Sequence, residues 1–268
     1  MIHPTAVIHP GAQLHPTVSV GPYSVIDADV ILGADCIVGP HVHLTGHTTA
    51  GAGNKFHASC VIGDAPQDLR YAGAPTRLRI GDRNVFREHV TLHRSNSLDE
   101  DTVIGSDCLF MVGSHVGHNS RVGNHVIMAN ASGLGGHVVV EDRVFIGGNS
   151  FVHQFCRIGT LAMMQGNAGI SADLPPYCVV HQINVLAGLN TIGLRRAGIS
   201  SADRLELRRM YHLFFRSGKR FVESLAEART TAQGAASKTL IDFLAVPTKR
   251  GYCACAGRGE SDSEAAAE

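Results

Sequence analysis

An apolar residue recurs at every sixth position of this chain from Ile2 to Ile170, with one interruption. The first run of these residues ends at Ile62, and the second begins at Ile80 in the same phase. A period of six fits neither an α-helix, which repeats about every 3.6 residues, nor an alternating strand. It is the hexapeptide pattern of a parallel β-helix, in which each unit forms a short strand and a corner.

Two other positions of the hexad support this interpretation. Glycine often follows the apolar residue, and a small or β-branched residue stands four places after it. We expect the small residues to stack inward and the glycines to meet the backbone demands of the corners. Proteins with this hexad resemble left-handed β-helices with three hexads per coil, so the handedness is implied by resemblance and not by the pattern.

The seven cysteines do not predict disulfides or a metal site. There is no C-x-x-C motif, and four of the cysteines stand at the small inward position of a hexad, where a buried free thiol is expected. They are Cys36, Cys60, Cys108 and Cys156. Free thiols are typical of a reducing compartment, so we expect a cytoplasmic protein.

The repeat and its interruptions divide the chain into three parts. We expect a β-helix over residues 1–189, with a loop rich in proline and glycine projecting over 63–79 as a lid or substrate wall, or else as a passive insertion. A shorter break in the pattern follows over residues 94–102. Residues 190–250 are expected to form a helical domain, and residues 251–268 a disordered tail. Within the helical domain, with Ser201 as an N-cap, helices are predicted over 202–216, 220–229 and 238–244.

The charge balance excludes some classes of partner. Lysine and arginine total 23, as do aspartate and glutamate, so the formal net charge is zero. A chain without a global basic field is not expected to bind nucleic acid or a membrane surface. It has no apolar run approaching the roughly 18 residues of a transmembrane helix and no N-terminal signal pattern.

The spacing of three histidines is close to the expected coil length. His118, His137 and His153 are separated by 19 and 16 residues, so coils of eighteen residues would place them on one corner of three successive coils. His115 lies just around the same corner. The cluster has three possible explanations: a chance alignment among sixteen histidines, a divalent metal site, or a general base with neighbouring substrate contacts.

Several segments resemble the acyl-[acyl-carrier-protein]–UDP-N-acetylglucosamine O-acyltransferases, over roughly residues 1–250. The segments are Pro66–Thr76, Arg87–Arg94, Gly113–His118, Leu134–His137, Val152–Phe155 and Gly193–Arg196. The resemblance implies a left-handed parallel β-helix with a small C-terminal α-helical domain, assembled as a homotrimer with sites between subunits. It implies transfer of a 3-hydroxyacyl group from acyl carrier protein to the 3-hydroxyl of UDP-N-acetylglucosamine, the first step of lipid A synthesis, without a metal or cofactor.

The same resemblance assigns roles to individual residues. It implies that His118 is the general base, that the Gly136 backbone N–H faces the developing oxyanion, and that no covalent acyl-enzyme forms. Gly166 would lie at the bottom of the groove that binds the acyl chain. Asn190 and Arg196 would contact the nucleotide and the pantetheine. The full set of implied substrate contacts is Gln67, Asp68, Arg70, His115, His137, His153, Gln154, Gly166, Asn190 and Arg196. A set of arginines in the helical domain could form the docking face for the acidic carrier protein, or could simply be the solvent-exposed sides of helices. They are Arg195, Arg196, Arg204, Arg208, Arg209 and Arg216.

The chain departs from the family pattern at positions that bear on the chemistry. Asn119 follows the implied base where the family often has aspartate, which predicts a weaker base. Arg70 replaces a lysine, and Ile192 and Ala197 replace charged residues near the nucleotide contacts. Three alternatives therefore stay open: a 3-amino UDP-sugar as acceptor, a metal-dependent carbonic-anhydrase-like β-helix, and a scaffold without activity.

Overall fold

The computed structural model describes residues 1–255, and most of them form a parallel β-helix followed by helices. Most of the strands contain only two residues, because each coil turns a corner soon after each strand. The strands are β1 Val7–Ile8, β2 Gln13–Leu14, β3 Ser19–Val20, β4 Val25–Ile26, β5 Ile31–Leu32, β6 Ile37–Val38, β7 His43–Leu44, β8 His47–Ala50, β9 Lys55–Phe56, β10 Val61–Asp64, β11 Arg77–Ile80, β12 Val85–Phe86, β13 Thr91–His93, β14 Thr102–Ile104, β15 Leu109–Phe110, β16 His115–Val116, β17 Arg121–Val122, β18 Ile127–Met128, β19 Gly133–Leu134, β20 Val139–Val140, β21 Phe145–Ile146, β22 Phe151–Val152, β23 Arg157–Ile158, β24 Met163–Met164, β25 Gly169–Ile170, β26 Cys178–His181 and β27 Val185–Leu189.

The strands form three sheets, one for each face of a triangular coil, with parallel pairing up to β26. The first sheet has the order β1-β4-β7-β10-β13-β16-β19-β22-β25. The second has the order β2-β5-β8-β11-β14-β17-β20-β23, and the third β27-β26-β24-β21-β18-β15-β12-β9-β6-β3. Each coil therefore contributes one strand to each sheet, so three hexads make one coil as expected.

The second residue of most two-residue strands is apolar and points into the helix. Phe56, Phe86 and Phe110 form a stack in the third sheet, with ring centroids 5.1 and 5.0 Å apart. The cysteines at the small inward position are also buried and unpaired, as expected; they are Cys36, Cys60, Cys108 and Cys156.

Replacing Phe86 with alanine should lower the free energy of unfolding by about 3–5 kcal/mol, because neighbouring coils cannot collapse into the space it leaves. The ring is fully buried and touches an aromatic ring on either side. Urea unfolding followed by circular dichroism measures the change. The control is Tyr23→Ala, because Tyr23 is 60% exposed; its cost should be within about 1 kcal/mol. Equal costs for the two variants would contradict a stacked core.

The glycines after the apolar residue act through close approach and not through the corner conformation that the sequence predicted. A Cβ on Gly105 or Gly117 would lie 2.5–2.9 Å from the backbone of the next coil, whereas neither residue has a positive φ. The left-handed conformation occurs two residues later, at positions such as Asp107, Asn119 and His137, with φ near 60°. Aspartate and asparagine tolerate this conformation better than most residues.

Both interruptions of the repeat project from the same corner of the β-helix, between the first and second sheets. Where the repeat is intact, strand partners are eighteen residues apart, as for Val25 and His43. Val61 instead pairs with Thr91, thirty residues on, and Thr91 pairs with His115, twenty-four residues on. The longer insertion lies between β10 and β11 and the shorter one between β13 and β14. The two loops therefore lie on successive coils at one corner.

The C-terminal part departs from the sequence prediction in several places. The coils end in an antiparallel pair, β26 and β27. The helices are α1 Thr191–Arg196, α2 Ser201–Phe215, α3 Phe221–Thr231 and α4 Ala235–Ala245. The sequence did not predict α1, and α2 is capped by Ser200, whose side chain accepts a hydrogen bond from the Asp203 amide, and not by Ser201. No helix within residues 1–255 is long and apolar enough to cross a membrane.

The sequence predicted a disordered tail from residue 251, but residues 251–255 form part of the described structure. Residues 251–255 run back along the end of the β-helix, where Tyr252 pairs with Asp173, Ala254 pairs with Val185, and Cys253 is fully buried. These backbone bridges and the buried Cys253 side chain hold the segment against the last coil, and six-residue periodicity does not predict such contacts. Residues 256–268 lie outside the described residues.

Candidate active site

The predicted histidines lie on the corner that joins the first sheet to the second. His118 follows β16, His137 follows β19, and His153 follows β22, so they occupy the same corner on three successive coils. The two inserted loops project from this corner on the preceding coils. Together they form a cleft of about 350 Å³, lined by Gln67, His93, His115, Gly117, His118, Gly135, Gly136, Val152, His153 and Gln154.

Asn119, the residue after His118, fixes the tautomer of the His118 ring. Asn119 is buried, and its amide is oriented by three contacts: Oδ1 accepts from the Asn96 backbone N–H at 3.0 Å, and Nδ2 donates to Ser95 Oγ at 2.9 Å. The third contact joins Asn119 Oδ1 to His118 Nδ1 at 2.8 Å. A carbonyl oxygen only accepts, so Nδ1 carries the hydrogen and neutral His118 has its lone pair on Nε2.

The His118 Nε2 atom faces Gly136. A Cβ built on Gly136 would lie 2.8 Å from both Nε2 and Cε1 of that ring, so only glycine leaves the nitrogen accessible here. Within residues 1–255, the Gly136 backbone N–H has no intramolecular acceptor. A proton acceptor and a free N–H donor therefore lie side by side at the cleft.

His137 does not line the cleft but packs behind the base. Its ring meets the His118 ring edge-on, with centroids 5.3 Å apart, and stacks on Phe155 at 4.7 Å. Burial, followed by the proximity of His118, lowers the pKa of His137. A neutral ring at this place limits the positive charge around His118.

His115 and His93 form a second histidine pair deeper in the cleft, with ring centroids 5.2 Å apart. Burial, followed by the nearby His93, lowers the pKa of His115 to about 4, and its Nδ1 is 2.8 Å from Thr91 Oγ1. The His115 ring can therefore offer a neutral hydrogen-bonding group to a substrate near pH 7. His93 was not predicted as a site residue, although it lies in the segment Arg87–Arg94 that carries the resemblance.

The His115 pKa predicts a pH dependence of stability. The folded-state pKa of about 4 lies below the ordinary value of 6.5, so the unfolded chain binds a proton first as the pH falls. The contribution of His115 to the free energy of unfolding is therefore fully present above pH 6.5 and is lost progressively as the pH falls towards 4. His115→Gln should show a shallower decline over this window in urea unfolding at a series of pH values, and an unchanged slope would contradict a neutral buried His115.

The projecting loop reaches the same network through Asp68. Asp68 forms an ion pair with Arg70 at 3.2 Å, and its Oδ2 accepts a hydrogen bond from Asn96 Nδ2 at 2.7 Å. Hydrogen bonds from the Arg70 side chain, then the Arg70 backbone N–H and then the Asn96 amide hold the pKa of Asp68 well below its usual range. Asn96 lies in the second loop, so this bond joins the two loops, and the Asn96 backbone N–H connects them to Asn119.

Six of the ten predicted contacts do not line this cleft. Asp68, Arg70 and His137 lie beside it, as described above, and the other three lie elsewhere on the molecule. Gly166 is exposed, and Arg196 is exposed on α1. Asn190 is the N-cap of α1: its Oδ1 accepts from the Gly193 amide and its Nδ2 donates to the Leu161 carbonyl. Next to them a second cleft of about 550 Å³ is lined by Leu189, Thr191, Leu194, Arg195, Arg204, Arg208 and Tyr211.

The geometry gives no support to a metal centre at the histidine corner. Within residues 1–255, no group of three or more histidine, cysteine, aspartate or glutamate side chains is arranged to hold a metal ion. The rings instead contact one another and the neighbouring amides.

Comparison with known proteins points to one family. Residues 173–253 match a family model described as UDP-N-acetylglucosamine O-acyltransferase, domain 2, and residues 11–46 match the bacterial transferase hexapeptide model. The chain is 46% identical over 244 residues to the acyl-[acyl-carrier-protein]–UDP-N-acetylglucosamine O-acyltransferase of Gloeothece citriformis, covering 91% of this chain and 88% of the relative. It is 45% identical over 186 residues to the protein of that name from Anaeromyxobacter sp. strain Fw109-5, covering 69% and 72%.

Solved structures agree with this similarity. The UDP-N-acetylglucosamine acyltransferase of Francisella novicida matches with a TM-score of 0.92 and 28% identity, covering 96% of this chain and 95% of that one. LpxA from Acinetobacter baumannii matches with a TM-score of 0.90 and 38% identity, covering 94% and 98%. The fold is therefore the expected left-handed parallel β-helix of hexapeptide repeats with a small C-terminal helical part. The chain belongs to the acyl-[acyl-carrier-protein]–UDP-N-acetylglucosamine O-acyltransferase family.

Proposed function

We propose that this chain transfers a 3-hydroxyacyl group from acyl carrier protein to the 3-hydroxyl of UDP-N-acetylglucosamine, with His118 as the general base. The activity follows from the family, and its product is the first intermediate of lipid A synthesis. The observation that supports the base is the pairing of His118 Nδ1 with Asn119 Oδ1, which leaves Nε2 able to take a proton.

The sugar hydroxyl adds directly to the thioester, and a tetrahedral intermediate forms without a covalent acyl-enzyme. The sugar oxygen attacks the acyl carbonyl carbon while its proton passes to His118 Nε2, and the carbonyl oxygen gains negative charge. The Gly136 N–H is placed to donate a hydrogen bond to that oxygen, since it has no acceptor within residues 1–255. The intermediate collapses with release of the pantetheine thiol, which takes the proton from His118.

The side chains of the cleft favour this route over a covalent acyl-enzyme. Its lining contains neither serine nor cysteine among the described residues. The inward thiols of the β-helix are buried, and burial raises the pKa of Cys108 to about 11 and that of Cys156 to about 12. Thiols of this kind are poor nucleophiles near neutral pH.

The remaining predicted residues divide between the two clefts. Gln67, Asp68, Arg70, His115, His137, His153 and Gln154 lie on or behind the histidine corner, where we assign them to the sugar and its phosphates. Asn190 and Arg196 lie beside the second cleft, where Arg195, Arg204 and Arg208 present positive charge. We assign this face to the acidic carrier protein and its phosphopantetheine. Gly166 keeps the proposed role of a small residue in the acyl groove.

We propose that the protein acts as a homotrimer in the cytoplasm, with each cleft closed by a neighbouring subunit. The sheets that flank the histidine corner expose apolar side chains, such as Val7 at 63% and Phe151 at 58% in the first sheet and Val139 at 37% in the second. Exposed apolar residues on both sides of one edge are typical of subunit contacts. Sedimentation equilibrium of the purified chain tests the trimer.

Mass spectrometry of the product tests the reaction and the acceptor. The purified chain is incubated with 3-hydroxyacyl carrier protein and either UDP-N-acetylglucosamine or its 3-amino analogue. We expect an ester with the first acceptor and little amide with the second. Amide formation alone would replace the proposed acceptor with the amino sugar, and no product with either would contradict the function. Varying the acyl chain in the same assay defines the length preference.

A further inference from the structure

Glu100, in the second inserted loop, is the carboxylate nearest to the amide that holds the base. Its Oε2 is 3.5 Å from Asn119 Nδ2 and 3.7 Å from His137 Nδ1. Within residues 1–255 it has no lysine or arginine partner at ion-pair distance. Its charge is therefore not neutralised by a fixed cation, and it contacts both the amide that holds His118 and the His137 ring that packs against it.

The Asn119 amide connects this carboxylate to the base. One amide hydrogen is donated to Ser95 Oγ, and the other points to Glu100, while Oδ1 accepts from His118. A carboxylate that accepts from the N–H side of an amide polarises it and makes its oxygen a stronger acceptor. The effect is largest when His118 has taken a proton, because the ring then carries the positive charge that the amide oxygen and the carboxylate stabilise.

The other charged groups at this corner do not replace Glu100. Asp68, in the first inserted loop, is paired with Arg70, and its carboxylate accepts from Asn96 of the second loop. Arg70 and Asp68 have opposite effects on the neighbouring His137, so as a pair they contribute little net charge to it. Glu100 therefore supplies the negative charge that acts on His137 and on the Asn119 amide.

We propose that Glu100 is a positioning residue of acyl transfer, whose carboxylate acts through the Asn119 amide and the edge of His137 to stabilise the imidazolium form of His118. The proposal rests on His118 being the general base. It assigns to the second inserted loop a role in catalysis, although no residue of that loop, 94–102, lines the cleft itself. The chain thereby obtains from another coil the negative charge that its buried Asn119 does not supply.

The first test replaces Glu100 with glutamine, which keeps the shape and removes the charge. In the acyl-transfer assay, kcat for Glu100→Gln should fall about three- to tenfold with KM for UDP-N-acetylglucosamine changed less than about twofold. The acid limb of the pH–rate profile should move to lower pH, because loss of a carboxylate disfavours protonated His118. Glu100→Asp should recover part of the loss. Asp99→Asn, an exposed acid in the same loop, is the matched control and should behave as the wild type.

The second test uses the Asn119→Asp background. An aspartate at 119 would hold His118 directly and would repel Glu100, so Glu100→Gln should there leave kcat unchanged or raise it. A residue that only supports the loop would cost activity equally in both backgrounds. Equal losses in the two backgrounds, or no change of kcat and pH profile in the single variant, would overturn the proposal while leaving His118 as the base. Full activity of His118→Ala would instead overturn the base and this inference together.

Discussion

Replacing His118 with alanine should lower kcat for acyl transfer by about 10²–10⁴-fold, the usual contribution of a general base. The ring holds its only available proton acceptor, Nε2, towards the cleft, because Nδ1 is committed to Asn119. Neighbouring His137 does not take over, since its ring lies behind the base and outside the cleft lining. Steady-state kinetics with carrier-protein thioester and UDP-N-acetylglucosamine measures the loss.

Two controls separate a lost base from a lost fold or a lost substrate site. His125→Ala removes an exposed histidine from a different corner of the β-helix and should leave kcat unchanged. His118→Ala itself should still gain thermal stability from UDP-N-acetylglucosamine, since ligand binding to the folded state raises the melting temperature. If the variant retained wild-type kcat, the proton would have to pass to another group, and the proposed mechanism would be wrong.

The histidine corner was predictable because it depends only on periodicity. Each coil adds a fixed number of residues, so the spacing of His118, His137 and His153 places them on one corner without knowledge of any contact. The same reasoning located the inward cysteines and both interruptions of the repeat. The sequence analysis recognised that the hexad needs glycine but assigned the wrong cause. At Gly105 and Gly117 the need comes from the close approach of the next coil and not from the corner conformation.

The contacts that tune the base were not predictable, since they come from residues outside the repeat. Ser95, Asn96 and Glu100 belong to a loop with no period, and only folding brings them to Asn119. His93 was missed because it immediately precedes that loop and carries no spacing signal of its own. The helix α1 has only six residues and no long amphipathic pattern, so nothing in the sequence distinguished it from a connection.

Gly136→Ala should be nearly as damaging as loss of the base, with kcat reduced about 10²–10³-fold. The added Cβ would lie 2.8 Å from His118 Nε2 and Cε1, where the sugar hydroxyl has to approach. The ring has little freedom to move away, because Nδ1 is held by Asn119 and the His137 ring meets it edge-on. The substitution therefore blocks a base that is still present, and the backbone N–H is retained.

The matched control is Gly148→Ala, the second glycine of the equivalent pair on another corner. Its Cβ would meet only the Asn130 carbonyl at 3.4 Å, an ordinary contact, so folding and activity should stay near wild type. Comparing the two variants separates the cost of a methyl group at this hexad position from the cost of covering Nε2. If Gly136→Ala kept its activity, the hydroxyl could not be approaching the ring from the Gly136 side, and the proposed geometry of proton transfer to Nε2 would be wrong.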